Sequence, residues 1–254
     1  MSPPTTSQPG RQRDWLFRGW TSWAIPLALL ALTILLAETT PWDEQLQNLF
    51  YSPERGWLLT LDKHQGFGLV YYTIPVRLIG AVSGLLLLSA LWTLLKTRRF
   101  PWKRAYVLLC MLAIPTLVAN LKSQNSMPYP KKLLLYGGTL PKRTLLQAFH
   151  TRREANGKRF HGWPAGHASG GFSLMGLAFC PEDPRKRRWG FAFSAALGGF
   201  MGLCHTMDGN HFFSHNLVSF FLAWLVASLL YLAVHALRKR FSAHPPKEPV
   251  PRPS

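Results

Sequence analysis

Acidic side chains are scarce in this sequence, 11 against 29 Lys and Arg, and charged residues of both signs make up only 16% of it. An average soluble domain carries roughly 25%, so charge cannot cover this surface, and the chain needs an apolar solvent as well as water. The apolar residues do not fall into short alternating strands separated by turns, which argues against a β-sheet protein. Cysteine is nearly absent. Cys110, Cys180 and Cys204 lie inside or at the edge of apolar stretches, so they read as small buried side chains and define no disulfide framework.

What is present is hydrophobic sequence in blocks. Of the 254 residues, 48% are hydrophobic, and they gather in runs near the roughly 17 to 25 residues that cross a hydrocarbon core. Six blocks read as transmembrane helices: 23–37, a stretch ending 78–95, 105–121, 167–180, 189–204 and 212–237. The fourth and fifth are short and rich in Gly, Ala and Ser, which suits helices buried among other helices. The arginines ahead of the first block resemble a signal peptide, but no small-x-small cleavage site follows at 36–41, so an uncleaved first helix is expected. The tail, 242–254, holds five prolines and is expected to be disordered. The division expected is a cytoplasmic segment 1–22, a six-helix membrane domain 23–241 and a cytoplasmic tail 242–254.

Basic clusters mark alternate boundaries: Arg11, Arg13 and Arg18 before the first block, Lys96 to Arg104 after the second, Arg185 to Arg188 after the fourth and Arg238 to Arg240 after the sixth. Short Lys/Arg-rich connections stay in the cytoplasm, so both termini are expected there and the other connections outside. One outer connection breaks the charge bias. The segment 122–166 carries Lys122, Lys131, Lys132, Lys142, Arg143, Arg152, Arg153, Lys158 and Arg159 against a single acid, Glu154. Such a loop reads as a headgroup-associated basic surface, as a funnel for a polyanionic substrate, or as both. The net charge of +18 does not point to nucleic acid, because the cations are divided between two membrane faces rather than lining one groove. The segment 41–64 reads as an outer loop at the interface, with Asp43 and Asp62 solvated or paired with loop cations, and Trp163 reads as an interfacial anchor.

Three short segments stand at outer boundaries: Lys122 to Pro130 leaving the third block, Pro164-Ala165-Gly166-His167 entering the fourth, and His205 to His215 joining the fifth and sixth. Together they resemble the type 2 phosphatidic acid phosphatase superfamily, whose pattern is K-x6-R-P, then P-S-G-H, then S-R-x5-H-x3-D. Lys122 and Pro130 keep the first motif with Tyr129 in place of Arg, and Pro164, Gly166 and His167 keep the second with Ala165 in place of Ser. In the third, Cys204 and His205 stand for Ser and Arg, His211 is kept, and His215 replaces Asp. The resemblance covers residues 105–235 and implies a phosphatase/haloperoxidase-like helical core. Both phosphate-clamping arginines are missing, and neither tyrosine nor histidine reproduces the guanidinium fork.

The resemblance implies that His211 attacks phosphorus to give a phosphohistidine while His167 protonates the leaving group. Lys122, Tyr129, Ala165, Gly166 and His205 would then surround the phosphate. The family's Asp orients the nucleophilic histidine; here His215, or Asp208 three residues before His211, would take that part. Helical spacing of His211 and His215 also allows a zinc pair, but there is no H-E-x-x-H and the superfamily works without metal, so no metal or other cofactor is expected. The expected partners are a bilayer and a lipid monophosphate or diphosphate, met at the periplasmic face of a bacterial inner membrane. A phosphotransferase shares every one of these residues, and a non-catalytic lipid-phosphate binder fits the substitutions. The sequence sets no oligomeric state.

Overall fold

The computed structural model describes residues 16–60, 66–151 and 159–243. The first fifteen residues, most of the tail, Asp62, Arg152, Arg153 and Lys158 lie outside the described residues, so the expectations placed on them are not addressed. The described residues form eight α-helices: α1 (Thr21–Thr39), α2 (Trp42–Gln47), α3 (Ile74–Thr97), α4 (Trp102–Gln124), α5 (Leu145–His150), α6 (Gly166–Phe172), α7 (Pro184–Met207) and α8 (Phe213–Ala243). A hairpin of two short strands, β1 (Tyr51–Ser52) and β2 (Gly56–Trp57), follows α2.

Four stretches are long and apolar enough to cross a membrane: Thr21–Thr39, Leu69–Thr97, Trp102–Gln124 and Phe213–Arg240. They correspond to the first, second, third and sixth expected blocks. The outer surface of α3 shows why a bilayer is needed: Leu78, Leu85, Leu88 and Trp92 are all largely exposed, an apolar face that water would not tolerate at this size. Hydroxyls inside these helices find carbonyls one turn back or on a neighbouring segment, as Tyr106 does on the Ala227 carbonyl at 2.7 Å. The Thr33 hydroxyl, for example, donates to the Leu29 carbonyl at 2.8 Å, as a low-dielectric surrounding requires.

The other two blocks differ from expectation. Residues 167–180 do not form one helix of spanning length; the seven-residue α6 runs into a 3-10 stretch, Ser173–Ala178. At about 1.5 and 2.0 Å per residue these cover roughly 22 Å, short of a hydrocarbon core of about 30 Å. The cause is composition: Gly166, Gly170, Gly171 and Gly176 are weak helix formers, and they are there for packing. A Cβ on Gly171 would lie 2.5 Å from the Gly198 backbone of α7, so the α6–α7 crossing depends on that hydrogen side chain. Helix α7 has the length, 24 residues, but its first turns carry Arg185 to Arg188 and it is not among the apolar spans.

The core lies where α4, α6, the 3-10 stretch and α8 meet, around Cys110, Ile114, Phe172, Met175, Trp224 and Ala227. Alternate connections gather at opposite ends of this bundle, as the charge pattern requires. At one end Lys103 of α4 meets Glu182 at 3.4 Å, between α6 and α7. At the other, the Lys122 ammonium at the end of α4 donates to the Pro164 carbonyl ahead of α6 at 3.1 Å.

The segment after α1 is not a loop resting at the interface. Helix α2 and the hairpin fold back over the connection between α7 and α8: Gln47 donates to the Thr206 carbonyl at 2.7 Å, Trp57 lies against Gly209, and Leu59 N–H reaches the Met207 carbonyl at 3.3 Å. Asp43 is likewise not solvated. It is 4% exposed, and its carboxylate accepts hydrogen bonds from the backbone N–H (2.9 Å) and hydroxyl of Ser214 in the first turn of α8. A carboxylate there satisfies an orphan helix donor and faces the positive end of the helix dipole. Trp163 is not an exposed anchor either: it is buried beside Met127, Ala148 and Val218, with its ring edge-on to Phe149.

Candidate functional site

The Lys122 end of the bundle brings together histidines from three segments. The rings of His167, at the start of α6, and His205, in the last turn of α7, stack at 4.2 Å with 16° between planes. His205 is in turn 5.9 Å from His211, in the connection to α8, and His211 is 5.9 Å from His215. His205 is therefore a neighbour of both histidines that the motifs single out, which are 44 positions apart in the chain. Lys122 lies on the same side, its side-chain carbons and ammonium against Gly166.

Backbone geometry fixes His211. The Asn210 and His211 N–H groups both point at the His205 carbonyl, at 2.9 and 3.3 Å, which folds the loop so that His211 turns inward; it is 2% exposed. Its Nδ1 lies 2.7 Å from the Gly162 carbonyl. A carbonyl oxygen only accepts, so Nδ1 carries the proton and Nε2 holds the lone pair. Burial, and secondarily the Lys122 charge, hold the His211 imidazole well below its ordinary pKa. It is thus neutral near pH 7, with Nε2 the available nucleophilic atom.

The acceptor that His211 Nδ1 meets is thus the Gly162 carbonyl, where the expectation put His215 or Asp208. His215 makes no ring hydrogen bond to His211; its carbonyl instead receives the Ala165 N–H at 3.2 Å, tying α8 to the Pro164-Ala165-Gly166 segment. Ser219 reinforces that tie, donating to the Ala165 carbonyl at 3.0 Å. Asp208 faces Lys131 at 3.7 Å and accepts from the Asn210 amide, which also approaches His205 Nδ1 at 3.4 Å. The acid thus acts on the His205 side of the cluster. With Asn210 donating to Nδ1, a neutral His205 carries its proton on Nε2 and presents a donor where the family has Arg.

Gly162 carries a requirement that its position explains. A Cβ there would fall 2.7 Å from the Met127 carbonyl and 2.8 Å from that of Pro128, and its own N–H donates to Met127 O at 2.8 Å. The segments 126–130 and 160–163 run side by side only because this residue has no side chain. Tyr129 approaches His211 edge-on at 6.4 Å and Phe160 at 6.1 Å. Burial raises its phenol pKa, so it lines the site as a neutral group, not as a replacement cation.

Of the loop cations, Lys131 is fixed beside the histidine connection, its N–H on the Gly209 carbonyl at 3.0 Å. Of the others, Lys132 is exposed, Lys142 pairs with Glu44, Arg143 donates to Ser126 O at 3.1 Å, and Arg159 to Ser123 O at 2.6 Å.

Residues that sequence reasoning passed over complete the wall. A π-helical turn, Leu69–Thr73, leads into α3 and places Tyr71 and Tyr72 against the cluster. The Tyr72 ring is 4.5 Å from His167, tilted by 51°, and Tyr71 meets His205 edge-on at 5.2 Å. Single π turns recur at functional sites because the extra residue re-aims side chains. In the sequence, two tyrosines ahead of an apolar block look like an interfacial belt.

No curated protein and no solved structure matches the chain. The family model of the PAP2 superfamily matches residues 103–239, a stretch that holds α4, α6, α7, most of α8 and every motif residue of the histidine cluster, and the chain belongs to this type 2 phosphatidic acid phosphatase superfamily.

Proposed function

We propose that the protein is a membrane phosphatase that removes a phosphoryl group from a lipid monophosphate or diphosphate through a phosphohistidine on His211. Superfamily membership supports phosphatase or phosphotransferase chemistry on a phosphate-bearing substrate, and four apolar helices of spanning length support an integral membrane protein. The observation that supports the finer reading is that His205 neighbours both His167 and His211, with Lys122 beside Gly166. In this reading a phosphate bound there meets a neutral imidazole, two further imidazoles and the Lys122 ammonium.

In this reading residues 23–241 act as one membrane unit of six crossings, the fourth being the short buried α6 segment, with the site at the outer, periplasmic face of a bacterial inner membrane. The lipid tail stays in the bilayer while the phosphate enters the cluster. His211 Nε2 attacks phosphorus, the bond from phosphorus to the lipid oxygen breaks, and protonated His167 gives its proton to that oxygen. Water then attacks the phosphohistidine, His167 takes a proton from it, and inorganic phosphate leaves with His211 restored. Lys122, the His205 Nε2–H and backbone N–H groups near Gly166 hold the charge on the non-bridging oxygens.

The test is phosphate release from a panel of lipid phosphates by detergent-purified protein, beside His211→Ala and His167→Ala. Release by the wild type that both substitutions abolish supports the reading. Equal, negligible release by all three would make the protein a lipid-phosphate binder, and transfer of label between lipids without free phosphate would make it a transferase.

A further inference from the structure

A cavity of about 180 Å3 lies at the end of the bundle away from the histidines. One water's share of liquid volume is about 30 Å3, so the space takes a polyatomic group and not a single bridging water. Its walls come from the residues ahead of α1, the start of α4, the connection from α6 to α7, and the end of α8. Lys103 and Lys122 are 19 residues apart on α4, and His215 and His235 are 20 apart on α8. At about 1.5 Å per residue these are separations of roughly 28 and 30 Å, the thickness of a hydrocarbon core. The cavity and the histidine cluster therefore open at opposite membrane faces.

We infer that this cavity binds the phosphate-bearing headgroup of an anionic phospholipid from the leaflet opposite the histidine cluster. Arg18, Lys103, His235 and Arg238 line it against one acid, Glu182. Glu182 is spent on Lys103 at 3.4 Å, an exposed pair of small worth. Arg18 and Arg238 add two guanidinium forks, the geometry that takes phosphate oxygens in pairs.

The inner wall is aromatic: Tyr106 uses its hydroxyl on the Ala227 carbonyl at 2.7 Å, so it presents a ring, and Tyr231 stacks on His235 at 5.9 Å and 16°, holding the imidazole in place. Leu237, next to Arg238 on α8, and Trp20, two residues after Arg18, are both exposed apolar side chains. Cations around a pocket flanked by lipid-facing side chains fit an amphiphile better than a soluble anion. Basic pockets between transmembrane helices at a cytoplasmic boundary bind anionic headgroups for this reason. The inference needs the chain to span the membrane but is independent of the phosphatase reading.

The experiment is native mass spectrometry of the protein released from nanodiscs of phosphatidylcholine mixed with phosphatidylglycerol, scoring which lipid stays bound. Wild type is expected to retain phosphatidylglycerol selectively. The Arg18→Gln/Arg238→Gln variant is expected to lose that retention by on the order of tenfold. A control, Lys96→Gln/Arg99→Gln, removes two exposed cations, one in the last turn of α3 and one in the connection to α4, that do not line the cavity, and is expected to retain the lipid as wild type does. Equal retention by the Arg18/Arg238 variant, or equal loss in the control, would overturn the inference. So would inorganic phosphate binding in pure phosphatidylcholine discs that depends on Arg18 and Arg238, because the occupant would then be a soluble anion. Matching thermal midpoints of the three proteins in pure phosphatidylcholine discs guard against misfolding.

Discussion

The histidine end of the bundle is made of two regions that do different work. Residues within the superfamily match supply the imidazoles and Lys122, whereas the earlier segments, α2 with its hairpin and the π turn before α3, supply groups that hold or flank them. Asp43 reaches across 171 positions to fix the start of α8, and Tyr72 lies against His167. Reacting groups can thus keep a family's spacing while their supports come from elsewhere in the chain.

The sharpest break between the regions is expected from the matched stretch. His211→Ala removes the proposed nucleophile, and phosphate release at saturating substrate is expected to fall by at least about a thousandfold with little change in thermal midpoint. His167→Ala removes proton donation only and is expected to cost about a hundredfold or more. A lipid carrying a good leaving group narrows that gap, because an alkoxide then needs no proton; the same substrate leaves the His211→Ala defect intact.

Substitutions in the supporting region are expected to change pH behaviour and stability instead. Tyr72→Leu removes a ring face next to His167, and a π face favours the imidazolium. The alkaline limb of the pH–kcat profile is expected to move to lower pH, with kcat down by roughly tenfold, whereas Tyr72→Phe keeps the wild-type profile. An unmoved limb in Tyr72→Leu would reduce Tyr72 to packing.

Asp43 gives the smallest effect on chemistry and a measurable one on folding. Asp43→Ala leaves the Ser214 donors buried without their partner and is expected to cost about 1–3 kcal/mol, while Asp43→Asn is milder because its amide oxygen still accepts. Burial, opposed in part by the Ser214 hydrogen bonds, raises the Asp43 carboxyl from 3.8 to about 6. The folded state therefore holds this proton more tightly than the unfolded chain. The resulting stability is fully present below pH 3.8 and is lost as pH rises through about 6. Thermal melts of wild type against Asp43→Asn across that window are expected to show the slope only in the wild type.

How much of this was legible in the sequence differs between the same two regions. Apolar blocks placed the four apolar helices of spanning length, and motif spacing brought His167, His205, His211 and Lys122 to one end, because spacing along helices and short loops is a local property. The brevity of α6 was harder to read, since glycines that suit close packing also weaken a helix, and hydropathy registers neither effect. The Gly162 carbonyl as the partner of His211 was illegible, because a backbone oxygen carries no residue signature. Asp43 was misread for a related reason: a carboxylate in a polar outer segment looks solvated until its partner, far along the chain, is placed beside it. The aromatic contacts of Tyr71 and Tyr72 depend on a π turn that no residue pattern announced.

The account turns on a covalent bond between phosphorus and His211. Brief incubation with a radiolabelled lipid phosphate, denaturing quench and peptide mapping measures it directly. Acid-labile, base-stable label on the peptide containing His211, absent from His211→Ala and enriched in His167→Ala with an activated substrate, is the predicted result. Wild-type protein that releases phosphate at its full rate while no label is trapped, or label that persists in His211→Ala, would contradict it.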